Sequence, residues 1–218
     1  MWVNTSDRGL GEACRQAQSW VEQGLKFGTI AVNVSALQFS DVGYLDRLLA
    51  ILDQTRLDPR VLELELTESA LMHCLETTAI PLQAIREKGI QISIDDFGTG
   101  YSCLSYLQKF PVDILKIDKS FVQEVGSKDQ SVLVATIISM ARALNLRVVA
   151  EGIETREQME FLSNLACDEG QGFYFSKAVP ADAFRRTLHL QEAGAPPFAT
   201  NARAVGSHRF EALSGRLC

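Results

Sequence analysis

The feature that most constrains the fold is a regular alternation of strand patterns and helix patterns along the chain. Six short stretches, rich in β-branched or alternating apolar residues, predict strands, and amphipathic stretches between them predict helices. The predicted strands cover residues 28–35, 61–69, 91–96, 112–118, 146–151 and 170–176. Repeated βα units predict an α/β fold, either a doubly wound sheet or a (β/α)8 barrel.

Composition supports a folded protein and excludes several classes of function. The chain has 218 residues, of which 46% are hydrophobic, so it can bury a sizeable core. Its net charge of −6 argues against non-specific nucleic-acid binding, and no apolar run reaches membrane-spanning length. No G-x-G-x-x-G turn follows the first predicted strand, so a dinucleotide-binding fold has little support. Five scattered cysteines without a C-x-x-C pair predict reduced thiols and a cytoplasmic location.

Polar side chains recur at the carboxyl ends of five successive predicted strands. They are Asn33, Glu65, Asp95, Asp96, Lys116 and Glu151. In a barrel these strand ends converge on one face, where barrel enzymes carry their active sites. One acid at the end of a strand would be uninformative, but this repetition favours a functional site over solvated loops.

Residues 91–102, QISIDDFGTGYS, contain the two adjacent acids Asp95 and Asp96. Adjacent carboxylates at the end of a strand are costly unless a cation lies between them, although a helix-capping aspartate after a strand is an alternative interpretation. Oxygen ligands without cysteine or histidine favour Mg²⁺ or Mn²⁺. Two such ions, bridged by one carboxylate, are suited to phosphodiester hydrolysis. Lys116 would then orient the attacking water or offset phosphoryl charge, unless it is only an ion-pair partner of the acids.

Glycoside hydrolysis is a rival chemistry, since it also uses two carboxylates on a barrel. Sugar sites usually have aromatic platforms beside their acids, whereas only 8% of this chain is aromatic. A cluster of charges with a lysine and an asparagine is better suited to metal ions and phosphate.

With these residues in place, the chain resembles the EAL domain family, the cyclic-di-GMP phosphodiesterases of bacterial signalling. The stretches that carry the resemblance are AVNVSALQF, LELELTESALM, SIDDFGTGYSCLSYLQKFPVDILKIDKSFV, RVVAEGIET and DEGQGFYFSKAVP. They predict an EAL domain over residues 10–190, after an unmatched segment 1–9 and before a flexible tail 191–218.

The resemblance implies a TIM-barrel-like (β/α)8 fold, a homodimer and hydrolysis of cyclic-di-GMP to pGpG with two Mg²⁺ or Mn²⁺ ions. It implies that the loop 96–102 is anchored by Glu68, and that Lys116 and Gln171 position the attacking water or substrate. It assigns the metal ions to Asn33, Glu65, Asp95 and Asp96, with Glu151 completing the ligands of the second ion.

The sequence departs from the family pattern at its beginning. The first two barrel strands, and the Glu-Ala-Leu signature whose glutamate is a metal ligand, are expected before Leu10 and are missing there. A catalytically inactive domain that binds cyclic-di-GMP or a protein partner is therefore the alternative function. Glu211-Ala212-Leu213 would supply the missing strand in a circularly permuted barrel, but Ser214-Gly215 breaks the strand pattern, which favours a chance match.

Overall fold

The computed structural model describes residues 7–73, 79–99, 107–125, 128–181 and 183–184. Within these ranges the chain forms one sheet of six parallel strands that lie side by side in sequence order. The strands are β1 (Ile30–Val34), β2 (Leu62–Thr67), β3 (Gln91–Phe97), β4 (Ile114–Ile117), β5 (Arg147–Ala150) and β6 (Glu169–Gly170). The parallel α/β architecture predicted from the alternating pattern is confirmed, because parallel neighbours require helical crossovers between them.

Within the described residues, helices lie between the strands as the sequence predicts, and shorter helices accompany them. The helices are α1 (Asp7–Glu22), α2 (Ala36–Phe39), α3 (Tyr44–Thr55), α4 (Glu68–His73), α5 (Ala79–Glu87), α6 (Lys119–Gln123), α7 (Lys128–Ala143) and α8 (Arg156–Asn164), with a 3-10 turn at Pro59–Val61. None of the described helices is long and apolar enough to cross a membrane. Residues 104–109, for which the sequence also predicts a short helix that ends at Pro111, lie mostly outside the described residues.

Both faces of the sheet are buried. On β2 the leucines Leu62, Leu64 and Leu66 are buried on one face, and Glu63 and Glu65 are buried on the other. In a parallel sheet the crossover helices cover the outer face. The alternating acids of β2 therefore point into the concave interior of a curved sheet and not into solvent.

A contact between the two ends of the described chain shows that the sheet is curved. The ring of Trp20 on α1 lies 5.1 Å from the ring of Phe184, which follows β6, and 5.5 Å from that of Phe27, which precedes β1. In a flat sheet β1 and β6 would be about 24 Å apart, at roughly 4.8 Å per strand. The edge strands and their helices have instead turned towards each other, as they do in a barrel.

Two predicted strands end at least two residues earlier than the sequence indicated. The prediction 61–69 was too long, because Glu68 is the first residue of α4 and not the end of a strand. The prediction 170–176 was wrong, because β6 ends at Gly170 and residues 173–175 form a turn. The turn is fixed by the backbone of Ile153, whose carbonyl accepts a hydrogen bond from the N–H of Tyr174 at 2.9 Å.

Candidate functional site

The residues predicted at the strand ends lie along one edge of the sheet. Asn33 and Glu65 are opposite each other in the register of β1 and β2. Asp95 and Asp96 lie in the last three residues of β3, and Lys116 is the third residue of β4. Glu151 and Gln171 directly follow β5 and β6. Parallel strands present all their carboxyl ends at the same edge, so one sheet gathers these groups.

Lys116 is at the centre of this edge. Its ammonium group contacts a carboxylate oxygen of Glu65, lies 2.6 Å from Oε1 of Glu151 and lies 3.5 Å from Oδ1 of Asp95. All four side chains are buried. The structure thus brings together acids from three different strand ends around one cation.

The charge state of Lys116 follows from these neighbours. Burial by itself would lower the pKa of the ammonium group, but the carboxylates of Glu65, Glu151 and Asp95 outweigh burial and raise the pKa above its ordinary value. Lys116 therefore stays protonated at neutral pH. It can donate hydrogen bonds and offset negative charge, but it cannot accept a proton.

Asp96 has a different environment from its neighbour Asp95. Its backbone has a φ of 54°, which is uncommon for a residue other than glycine, and the pairing of β3 with β4 shifts register between Ile94 and Phe97. Burial, together with the charges of Asp95, Asp118 and Glu151, raises the pKa of Asp96 to about 6.

Asp118 is a site residue that the sequence analysis missed. Its side chain shares a hydrogen bond with Asp96 and also accepts from the N–H of Ser120 at 3.0 Å, as the N-cap of α6. The available signal was its position, one residue beyond β4 in the stretch VDILKID. An acid after a fourth strand extends the pattern already seen at Glu65, Asp95 and Glu151.

Glu68 contacts the turn that follows β3. Its Oε2 accepts a hydrogen bond from the N–H of Gly98 at 3.1 Å. This contact is the one through which Glu68 would anchor the loop 96–102, of which residues 100–102 lie outside the described ranges. The anchoring role stays a prediction.

Asn33 and Gln171 lie at the rim of the cluster. Asn33 is exposed on β1, and Gln171 is half-buried. The backbone of Gln171 is fixed by two hydrogen bonds, from its N–H to the carbonyl of Ala150 at 2.8 Å and from the N–H of Ile153 to its own carbonyl at 3.0 Å. Glu211 lies outside the described residues, so its suggested part in a permuted barrel stays a prediction.

The donor atoms of this edge fit a hard divalent cation. Within the described part of the chain, Oδ1 of Asp95 is buried without a hydrogen-bond partner and lies 3.5 Å from the Lys116 ammonium group. Among the described residues, three buried carboxyl groups (Glu65, Asp95 and Glu151) surround a single lysine, which leaves an excess of negative charge that a divalent ion would offset. As the described side chains are arranged, however, no three of the acids, cysteines or histidines among them are placed to hold a metal ion. Glu65, Glu151 and Asp95 are directed at Lys116 instead.

The fold and this edge define a class of protein, an α/β protein with a TIM-barrel-like sheet and a buried acidic cluster at its carboxyl end. The family model for the EAL domain matches residues 8–178, and the chain belongs to the EAL domain family. The resemblance stated from the sequence is confirmed by this match, and the TIM-barrel-like fold is confirmed by the solved structures of the family.

Individual relatives are similar over most of this chain. The bifunctional diguanylate cyclase/cyclic di-GMP phosphodiesterase MucR of Pseudomonas aeruginosa is 44% identical over 174 residues, which are 79% of this chain and 25% of the relative. The cyclic di-GMP phosphodiesterase NbdA of the same organism is 40% identical over 189 residues, which are 86% of this chain and 24% of the relative. This chain thus spans about a quarter of the length of these curated relatives.

A solved structure of the PaMucR phosphodiesterase in complex with c-di-GMP superposes with a TM-score of 0.79 at 42% identity. The superposition covers 82% of this chain and 72% of that one.

Proposed function

We propose that this chain is a phosphodiesterase that hydrolyses cyclic-di-GMP to linear pGpG with two Mg²⁺ or Mn²⁺ ions. The observation that carries the proposal is the buried cluster of Lys116, Glu65, Asp95 and Glu151 at the carboxyl end of an EAL-family sheet. Relatives that carry the name cyclic di-GMP phosphodiesterase, such as NbdA, support the choice of substrate.

The proposed metal ligands are the acids and the amide of the strand ends. They are Asn33, Glu65, Asp95, Asp96 and Glu151. When bound, the two ions would supply an activated water and offset charge on the phosphoryl oxygens. Oδ1 of Asp95 is the oxygen most ready to accept an ion, since it accepts no hydrogen bond from the described residues that would have to be broken.

Lys116 would act as a fixed cation in this reaction. Because its pKa is raised, the ammonium group donates hydrogen bonds to water or to a phosphoryl oxygen and takes no proton from them.

Gln171 would orient the substrate at the rim. Its side chain is half-buried, and its backbone is held by two hydrogen bonds. A homodimer in the cytoplasm is part of the proposal, and the resemblance to the family supports it.

One observation favours a second candidate, binding of cyclic-di-GMP without hydrolysis. The carboxylates of Glu65 and Glu151 are committed to Lys116, and none of the described acids is grouped to hold a metal as it stands. A domain that kept this arrangement in solution would offer the Lys116 ammonium group to a phosphate of the dinucleotide but would supply no activated water.

The experiment that separates the two candidates measures binding and hydrolysis of cyclic-di-GMP by the same protein samples, with Mg²⁺ or Mn²⁺. Lys116→Ala is compared with Lys119→Ala, which removes an exposed lysine three residues away. Hydrolysis that only Lys116→Ala abolishes supports the phosphodiesterase. Binding without hydrolysis supports the second candidate. A folded protein that neither binds nor hydrolyses the dinucleotide contradicts both.

A further inference from the structure

The backbone just after the paired acids Asp95 and Asp96 is strained. Asp96 has a φ of 54° and Gly98 a φ of 100°, with the register shift of β3 beside them. A non-glycine residue in the left-handed region costs on the order of 1–3 kcal/mol and persists only when its surroundings fix it. The contacts that hold this turn therefore also determine the directions of the Asp95 and Asp96 carboxylates.

Two polar contacts hold the turn from opposite sides. The N–H of Gly98 donates to Oε2 of Glu68 at 3.1 Å, and the side chain of Asp96 shares a hydrogen bond with Asp118. Within the turn, Oγ1 of Thr99 donates to the carbonyl of Asp96 at 2.9 Å. These bonds hold the turn through polar groups of Asp96, Gly98 and Thr99, and an apolar contact at Gly98 adds to them.

The flank is closed by the ring of Phe121 on α6. A Cβ atom built on Gly98 would lie 2.8 Å from Cε2 and 3.0 Å from Cζ of this ring, so the ring is in close contact with the glycine. Phe121 is itself fixed, because its N–H donates to the carbonyl of Asp118 at 3.2 Å and its side chain packs against the core. Helix α6 thus carries Phe121, whose ring contacts Gly98, and begins at its N-cap Asp118, whose side chain bonds to Asp96.

We propose that Phe121 is a positioning residue, whose ring locks the turn at Gly98 and thereby fixes the Asp95 and Asp96 carboxylates for cation binding. The part of this inference that concerns the cation rests on the proposed function. The part that concerns the turn does not, because the contact between Phe121 and Gly98 is made by the protein alone. The two parts can therefore be tested separately.

The first test compares Phe121→Leu with Phe161→Leu, a matched change at a half-buried phenylalanine of α8 that also packs against the core. Hydrogen exchange is measured by mass spectrometry on peptides covering 95–99 and 147–151, and Mn²⁺ binding is measured by electron paramagnetic resonance. Phe121→Leu is expected to speed hydrogen exchange at 95–99 but not at 147–151. It is also expected to raise the Mn²⁺ dissociation constant about tenfold, which is the smallest loss of metal affinity typical when a residue that supports metal ligands is replaced.

Phe161→Leu is expected to lower the melting temperature while leaving exchange at 95–99 and Mn²⁺ binding unchanged. Equal effects of the two variants on both readouts would overturn the proposal, since Phe121 would then be an ordinary core residue. If Phe121→Leu does not fold, Phe121→Met makes the same comparison with a side chain of similar volume that adapts better to an irregular gap.

A double-mutant cycle tests the contact directly. Gly98→Ala is expected to lower the melting temperature strongly in the unaltered protein, because its methyl group meets the ring as well as the strained φ. In the Phe121→Leu background the same change should lower it less. Additive shifts would overturn the proposed contact.

The two hypotheses fail in different ways. An unaltered protein that binds no Mn²⁺ would contradict the metal part of the proposed function, and the exchange comparison and the cycle would still decide whether Phe121 locks the turn. Normal Mn²⁺ binding with no difference between the two leucine variants would leave the proposed function intact and overturn the role of Phe121.

Discussion

Burying a protonated lysine among three carboxylates is tolerated only because the opposite charges attract one another, so removing the lysine leaves the buried carboxylates uncompensated. Replacing Lys116 by Met leaves Glu65, Asp95 and Glu151 buried together without a cation. We expect the free energy of unfolding to fall by about 3–5 kcal/mol, measured by urea denaturation in EDTA. Mn²⁺ should restore part of the loss, because the ion replaces the missing positive charge.

Lys119→Met is the control for Lys116→Met, since Lys119 is exposed and its loss should change the free energy of unfolding by less than about 0.5 kcal/mol. Equal effects of the two substitutions would mean that the buried acids are already neutralised by protons. In that case the cluster would not depend on the ammonium group.

The raised pKa of Asp96 predicts that the stability of the folded protein depends on pH. Its folded pKa of about 6 lies above the ordinary value of 3.8, so between these values the folded state holds a proton that the unfolded chain releases. Its contribution to stability is therefore present below pH 3.8 and is lost as pH rises through 6. We expect the urea midpoint of the protein in EDTA, relative to that of Asp96→Asn, to fall over this window.

Asparagine is a suitable replacement because it tolerates the positive φ of Asp96. If the difference between the two proteins is flat from pH 4 to pH 7, the raised pKa of Asp96 is contradicted.

At the residue scale, the place of the strand-end acids could be predicted because the carboxyl ends of parallel strands lie at the same edge of a sheet. Once the strands were assigned, Glu65, Asp95 and Glu151 had to lie at one edge. The ion-pair interpretation of Lys116 was open in the sequence, and it describes the contacts found here. Asp118 was missed because a last polar residue in a strand pattern also fits a helix cap, which is a role it has as well.

At the level of the elements, α6 lies close to the segment that follows β5. Gly152 has a φ of 73°, and a Cβ atom there would clash with the side chain of Lys119 and lie 3.1 Å from its Cα. This contact fixes the backbone directly after Glu151. The close approach requires glycine both for its conformation and for its missing side chain.

Gly24 distinguishes the effect of conformation from that of the close contact. It has nearly the same φ of 74°, but no atom of the described residues outside its immediate neighbours lies within 4 Å of the position that a Cβ atom would take. We expect Gly24→Ala to cost about 1 kcal/mol of stability from backbone strain alone. Gly152→Ala should cost about 1–3 kcal/mol more from the clash, and should reduce any activity that depends on Glu151. Thermal and urea unfolding of both variants tests this difference, and equal costs would contradict the close contact.

Long elements were predictable and short ones were not, for a physical reason. Helices such as α3 and α8 repeat their apolar positions over several turns, whereas α2 and α6 are too short to show a period. They are marked instead by caps, such as the capping box of Ser35 and Gln38. The glycine-rich and aromatic stretch after β6 has strand composition, but its backbone turns to bond with Ile153, a tertiary contact that local sequence does not encode.

At the scale of the whole molecule, a sheet of six parallel strands has curved until its two ends share a contact. In the described residues β1 and β6 each have one strand neighbour, and Trp20 links the helix before β1 to Phe184 after β6. Curvature of this kind explains how Lys116 on β4 reaches both Glu65 on β2 and Glu151 after β5. The candidate site therefore depends on the global curvature as much as on any single strand.

If the curvature is maintained cooperatively, the molecule should unfold as one unit. Trp20 is 2% exposed and contacts both ends of the described chain, so its fluorescence reports whether those ends are together. In a Trp2→Phe background, which leaves Trp20 as the only tryptophan, we expect the urea transition followed by fluorescence to coincide with the one followed by far-ultraviolet circular dichroism. Fluorescence that changes at lower urea would mean that the ends separate before the sheet unfolds. Because the buried cluster depends on the curvature, its ion pairs would then be lost in the first transition, and Lys116→Met should shift that transition.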